Sequence, residues 1–218
     1  MKYFHRPPRL LKALFSQAMV WELPLEKQKI FLTFDDGPHP EITPRVLDLL
    51  DQYHARATFF LLGKNVASYP QLMHRILKAG HSVGNHTWSH PDGWRTSQKD
   101  YLGNVSQAAA LIPSPLFRPP YGRLKPGQLR QLRRGGYQVV MWSYLTGDYR
   151  SDIAGQILLQ RALQSIHSGS VVVLHDSAQA ADNCLYLLEA ILRHFSQQSF
   201  VFEPIPSRGH QKVSAGTQ

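Results

Sequence analysis

The 218-residue chain has one cysteine, Cys184, so it can form no intramolecular disulfide and no cysteine-based zinc knuckle. It has no apolar run near the roughly 18 residues that a membrane-spanning helix needs, which argues against an integral membrane protein. It also lacks internal repeats, low-complexity linkers and breaks in composition. At this length and 43% hydrophobic content, one domain with a substantial core is the simplest organisation. No nucleic-acid motif, and no basic stripe with interleaved aromatics, accompanies the excess of 24 Lys+Arg over 15 Asp+Glu. The net charge of +9 therefore reads as a solvated basic surface suited to acidic partners, with no nucleic acid expected.

A small-x-small cleavage site is also missing after the N-terminal stretch "MKYFHRPPRLLKALFSQAMVWELP". Pro7 and Pro8 precede its apolar part, and Lys12 and Gln17 interrupt it. Leu10, Leu11, Leu14, Phe15, Ala18 and Met19 recur instead at helical spacing. Residues 1–28 are thus expected to be an amphipathic extension packed on the domain, which favours a cytoplasmic location over export or a membrane surface. The closing residues 207–218 read as a flexible tail.

What is present is alternation. Short apolar runs at 30–34, 57–62, 81–85, 116–118, 137–143, 170–175 and 200–205 are separated by amphipathic stretches at 42–53, 70–79, 97–111, 126–134, 152–167 and 181–196. About seven strands alternating with helices predict an α/β domain with a mostly parallel sheet, either doubly wound or closed into a barrel. Periodicity does not separate the two. In both, chemistry gathers on loops at the C-terminal ends of the strands.

Applied here, that rule collects the strongest chemical groups of the chain. Asp35 and Asp36 follow the first strand, and His86 and His90, in "GNHTWSH", follow the third. Arg118 and Tyr121, in "FRPPYG", follow the fourth, Asp148 and Tyr149, in "LTGDY", follow the fifth, and His175 and Asp176 end the sixth. Taken singly, each has a plain structural reading. "DDGP" suits an Asp-Gly turn, two histidines four apart suit a hydrogen-bonded loop, and Arg118 suits an ion pair. Together they suit a catalytic metal site, with two imidazoles and one carboxylate as ligands and positions left open for water. The second aspartate would then stand beside that water to take its proton.

In this order the motifs resemble the polysaccharide deacetylases of carbohydrate esterase family four. "TFDDGP" is similar to the family's first motif, "HTWSH" to its second, "RPPYG" to its third and "VLHD" to its last, over residues 30 to 205. The resemblance implies a distorted (β/α)7 barrel, with residues 29–206 as the catalytic domain. It implies hydrolysis of N-acetyl groups from an N-acetylglucosamine-containing glycan, a chitin oligomer or peptidoglycan-like polymer, with a metal-bound water as the attacking group. Carried over, Asp36, His86 and His90 would hold a divalent metal, most often Zn2+, with Co2+ or another divalent ion as a substitute. Asp35 would be the general base with Arg118 beside it, and His175, partnered by Asp148, the general acid. The Tyr121 amide would stabilise the oxyanion, while Pro120, Tyr149 and Val173 would help line the substrate pocket.

The fourth motif departs from an Asp-x-x-Asp-Trp pattern, because Leu145 replaces the first aspartate and Tyr149 the tryptophan. That leaves Asp148 in place and puts the shape of the acetyl pocket in question. Two other readings stay open: a metal amidohydrolase for a small non-glycan amide, and a catalytically silent glycan-binding module.

Overall fold

The computed structural model describes residues 7–8, 15, 17–23 and 28–207. Eight strands and seven helices alternate within them: β1 (Lys29–Asp35), α1 (Ile42–Gln52), β2 (Thr58–Leu61), α2 (Gly63–Ser68), α3 (Pro70–Lys78), β3 (Ser82–Asn85), α4 (Gln98–Ala109), β4 (Leu116–Phe117), α5 (Pro126–Arg134), β5 (Gln138–Val139), β6 (Tyr144–Leu145), α6 (Gly155–Leu163), β7 (Val171–His175), α7 (Ala181–Ser196) and β8 (Val201–Phe202). The sheet is parallel throughout and runs β5-β4-β3-β2-β1-β7-β6, with β8 paired to the start of β1. Curled into a half-barrel with helices outside, it is the distorted barrel that the motifs imply.

Strand alternation assigns the two faces. On β1, Ile30, Leu32 and Phe34 join the helix-side core with Val46, Leu50, Leu188 and Ile191. Phe34 stacks on Phe59 of β2 with ring centroids 4.9 Å apart. Phe31 belongs to the opposite face, packed with Phe60, Leu116, Val140 and Val171 inside the curl. Thr33 and Asp35 share that inner face, so the period of two that buries Phe34 outward aims Asp35 inward.

Helix signals act where the sequence places them. Pro70 and Pro126 sit at the first positions of α3 and α5, where a missing N–H costs little, and the Ser97 hydroxyl caps α4 by accepting from the Asp100 amide (3.1 Å). Cys184 is buried and free within α7. No described helix is long and apolar enough to cross a membrane.

One expected strand is corrected. Residues 137–143 do not form a single strand: β5 ends at Val139, β6 begins at Tyr144, and the two lie at opposite edges of the sheet. Residues 140–143 cross the gap between the edges, with the Val140 amide donating to Phe117 O (2.8 Å) and the Ser143 amide to Val171 O (3.0 Å). Apolar character alone does not mark where a chain leaves one edge for the other. The six-residue helix α2 was also not expected, being too short to show a period.

The amphipathic helix expected near residues 10–19 lies largely outside the described residues, as does the tail from 208. Of the N-terminal stretch, Phe15, Ala18, Met19 and the buried Trp21 pack against Leu129, Leu132 and Val139, and Val20 bridges Val140.

Candidate active site

The loops that leave β1, β3, β4, β6 and β7 meet over the C-terminal mouth of the half-barrel. They enclose a cavity of about 420 Å3 lined by Asp35, Asp36, His86, His90, Tyr121, Tyr149, Val173 and His175 among others. Four of the six described non-glycine residues with positive φ lie here: Asp36 (75°), Thr87 (72°), His90 (64°) and Tyr121 (57°). L-residues visit that region at a cost, so such a cluster marks backbone held in place by its surroundings. Side chains brace it. Asn65 Nδ2 donates to Asp36 O (2.7 Å), Asn85 Oδ1 accepts from the Thr87 amide (2.8 Å), and Asn104 Oδ1 accepts from the amides of Trp88 and Ser89 (2.8 and 3.1 Å).

Asp36, His86 and His90 each bring a ligand-type atom to within 4.8 Å of the others, the one such cluster of three among the described residues. Asp36 Oδ1 lies 3.6 Å from His86 Nε2 and 3.3 Å from His90 Nε2, is buried, and accepts no hydrogen bond. A buried carboxylate oxygen without a hydrogen-bond donor, beside two imidazole nitrogens, is a donor set that fits a cation. The tautomer fits as well. His86 Nδ1 lies 2.7 Å from the carbonyl of Arg118, which can only accept, so Nδ1 carries the proton and Nε2 keeps its lone pair toward Asp36. Burial, with His90 beside it, lowers the His86 pKa to about 3, and burial lowers that of His90, so both rings are neutral donors.

Asp35 sits beside this cluster, buried, with Oδ1 accepting from Arg118 Nη1 (2.7 Å). Arg118 is fully buried and spreads its donors across the curl. Nη1 also reaches Thr33 Oγ1 (2.7 Å), Nε reaches Val140 O (3.3 Å) and Nη2 reaches Met141 O (2.9 Å), while the guanidinium lies 4.1 Å from the centre of the Phe60 ring. Val140 and Met141 belong to the crossing segment, so the side chain that orients Asp35 also satisfies carbonyls at the break in the sheet. Gly84 makes room for this floor, since a Cβ there would stand 2.5 Å from the Phe60 ring.

Across the cavity, Asp148 holds His175 at two points. Oδ1 pairs with Nδ1 (2.8 Å) and Oδ2 accepts the His175 amide (2.6 Å), which leaves Nε2 for the cavity. Burial alone would lower the His175 pKa, but Asp148, with Asp36 and Asp35 behind it, outweighs that and raises it to about 9. The Tyr149 ring meets the imidazole edge-on at 5.2 Å. Leu145 and Val173 are register partners on β6 and β7 and form an apolar wall beside His175. Pro120 is buried behind this mouth, in the turn that presents Tyr121, and does not line the cavity; Pro119 does.

Sequence reasoning missed Trp142, Ser177 and Gln179, which also line the cavity. It also assigned nothing to Asp176. That residue is fully buried behind the Asp36–Gly37 turn; Oδ2 accepts from Thr43 Oγ1, and Oδ1 has no partner. A Cβ on Gly37 would stand 2.2 Å from its carboxyl, so only glycine fits against it. Its position directly after His175 was the available signal. Burial raises the Asp176 pKa to about 8, so the folded protein holds this proton at neutral pH while the unfolded chain, with an ordinary value of 3.8, does not. Stability is therefore lost as pH rises from about 4 to 8. Asp176→Asn, which keeps an acceptor for Thr43, is expected to gain about 4 kcal/mol more stability over wild type at pH 8 than at pH 4.5. Urea unfolding at the two pH values measures this, and an equal shift at both would refute the buried proton.

A curled parallel sheet with a two-histidine, one-carboxylate cluster over the C-terminal ends of its strands defines an α/β barrel with a hydrolase-type site. The chain belongs to the polysaccharide deacetylase family, whose model, described as "Polysaccharide deacetylase", matches residues 22–140. It is 35% identical over 190 residues to a peptidoglycan-N-acetylglucosamine deacetylase of Bacillus cereus, covering 84% of this chain and 89% of that protein. It is 32% identical over 197 residues to a chitooligosaccharide deacetylase of a Bradyrhizobium strain, covering 82% and 90%. Among solved structures it is similar to a peptidoglycan N-acetylglucosamine deacetylase crystallised with 4-naphthalen-1-yl-N-oxidanyl-benzamide, with a TM-score of 0.84, 29% identity and coverage of 92% and 96%. Other relatives are longer, and the chain spans 35% to 58% of their length. Family members are in general dependent on a divalent cation, and the Asp36, His86 and His90 cluster is a group that could hold one.

Proposed function

We propose that this chain removes N-acetyl groups from N-acetylglucosamine units of a chitin-like or peptidoglycan-like glycan. The observation that carries this reading is the convergence on one cavity of three neutral-or-anionic ligand groups, an Arg-paired carboxylate and an Asp-paired histidine.

A divalent cation held by Asp36, His86 and His90, zinc by family resemblance, would supply Lewis-acid activation of a water and of the acyl oxygen. The chain's own residues divide the remaining work. Asp35, with one oxygen fixed by Arg118, takes the proton that the attacking water loses. The Tyr121 backbone N–H donates to the negative charge that builds on the acyl oxygen. An amine is a poor leaving group unless it gains a proton as the C–N bond breaks. His175, whose pKa its partner Asp148 raises above the ordinary imidazole value, donates that proton, and Asp148 holds the ring so that Nε2 meets the nitrogen. Leu145, Val173 and Tyr149 exclude water from the acetyl methyl. The half-exposed Tyr121 at the rim, 47% accessible, favours a glycan over a small buried amide, because the cavity continues onto open surface. A silent binding module would have no use for the paired acid and base.

An acetate-release assay tests this on chitin oligomers, peptidoglycan fragments, acetylated xylan and small amides, with and without chelation. Release from the N-acetylglucosamine substrates, abolished by chelation and restored by added zinc or cobalt, is the expected result. Asp36→Ala should lose the cation by elemental analysis and lose activity with it. Activity unaffected by chelation would sink the metal mechanism, and release from small amides alone would sink the glycan reading.

A further inference from the structure

Beyond the cavity rim, one exposed feature is built rather than incidental. Trp94 is the most exposed large apolar side chain among the described residues, at 55%, and Tyr121 is also exposed. Leu77, Ile157, Tyr186 and Val201 are also exposed, but singly exposed apolar residues are ordinary and need no explanation. Trp94 and Tyr121 differ because they share a partner. The Arg123 guanidinium carbon lies 5.0 Å from the centre of the Trp94 ring and 5.5 Å from the centre of the Tyr121 ring. The edge of Tyr121 rests in turn on His90, 4.5 Å between ring centres, inside the candidate metal cluster. His90, Tyr121, Arg123 and Trp94 therefore form one continuous line from the cavity to the surface.

The loop that carries Trp94 is held rigidly. Asp92 pairs with Arg123, and its Oδ1 accepts the Trp94 amide (3.0 Å). The Asp92 carbonyl accepts the amides of Arg95 and Thr96 (both 3.0 Å), and Gln128 Nε2 donates to Gly93 O (3.0 Å). Gly93 has no room for a side chain, since a Cβ would stand 2.2 Å from Arg123 O. Such bracing fixes an exposed indole in advance, so that a ligand stacking on it does not have to order the loop.

We propose that Trp94, with Tyr121, forms a stacking subsite for the sugar unit next to the one being deacetylated, which rests on the glycan reading above. The chemistry selects this occupant. A pyranose ring presents a flat face of C–H groups with hydroxyls around its edge, which matches an apolar ring bordered by water. A carboxylate or phosphate is not selected, because the cation beside both rings is already engaged: Arg123 is paired with Asp92 and its side chain is only 13% exposed. The subsite makes the chain an enzyme for oligomers rather than for single sugars.

The test compares acetate release from disaccharide and tetrasaccharide, using one ladder of chitin oligomers and one of peptidoglycan glycan strands. Wild type is expected to prefer the tetramer in at least one ladder. Trp94→Ala should reduce the tetramer-to-dimer ratio of kcat/KM in that ladder about tenfold, mainly through KM. Tenfold corresponds to about 1.4 kcal/mol, which withdrawal of roughly 55 Å2 of apolar ring from water supplies. Trp94→Tyr should retain most of the ratio. An unchanged ratio in Trp94→Ala on both ladders, or no length preference in wild type, would overturn the subsite while leaving the deacetylase reading intact. A binding measurement separates the two readings further. In zinc-loaded Asp35→Asn protein, the Trp94 indole N–H resonance should shift on addition of chitotetraose, and an unmoved resonance at saturation overturns the subsite whether or not acetate is ever released.

Discussion

Asp35→Asn is expected to lower kcat for acetate release by about 10^3-fold while the protein still binds its cation in full stoichiometry. Asparagine is nearly the same shape as aspartate and keeps an oxygen to accept from Arg118 Nη1, now at 2.7 Å from Asp35 Oδ1. It cannot take a proton, and positioned proton transfer contributes typically 10^2 to 10^4 in rate. Asp35 is not in the cluster with His86 and His90, so the donor set is untouched. Elemental analysis and steady-state kinetics on one preparation separate the two functions. A near-normal rate would assign the base elsewhere, and a lost cation would make Asp35 a ligand. The two adjacent aspartates would then be one site rather than two roles.

Arg118→Met is expected to destabilise the metal-free protein by about 3–5 kcal/mol, read as a lower urea midpoint at unchanged slope. The guanidinium is fully buried and serves four acceptors, Asp35, Thr33 and the carbonyls of Val140 and Met141. Methionine fills similar volume but leaves Asp35 as a buried charge without its partner and strips two carbonyls of their donors. Arg118→Lys should recover only part of the loss, because a single ammonium can meet Asp35 but cannot span to both carbonyls. A loss below about 1 kcal/mol for Arg118→Met would mean that the crossing segment is held by its other bonds, chiefly Val140 to Phe117 and Ser143 to Val171.

These two residues also divide what could be read in the chain from what could not. Asp35 was legible: it closes an apolar run with a period of two, and the loop rule for parallel sheets puts it at the mouth beside Asp36. His86, His90, His175 and Asp148 were legible for the same reason, each standing at or after the end of a strand. Arg118 was legible as a site residue but not as a structural one. Its bonds to Val140 and Met141 depend on the chain crossing from β5 to β6, where the apolar run 137–143 read as one continuous strand. Asp176 was legible at a strand end but not in its role, because no local pattern says that the Asp36–Gly37 turn will close over it. The left-handed backbone at Asp36, Thr87, His90 and Tyr121 is likewise silent in composition, since none of these is a glycine.

Which chemical groups stand at which strand ends was readable from spacing and alternation, which are local and survive whatever the sheet does; the family and its barrel were readable only from the resemblance carried by motif order. Which groups touch is settled by the packing of the whole sheet. The curl of the sheet brings the β4 end to β1, so that Arg118 meets Asp35, and the register of β6 on β7 sets Asp148 under His175. The loop after β3 folds toward the turn after β4, which brings both Trp94 and Tyr121 against Arg123. Contact between residues distant in the chain is fixed by packing over the whole domain, and no stretch of a few residues encodes it.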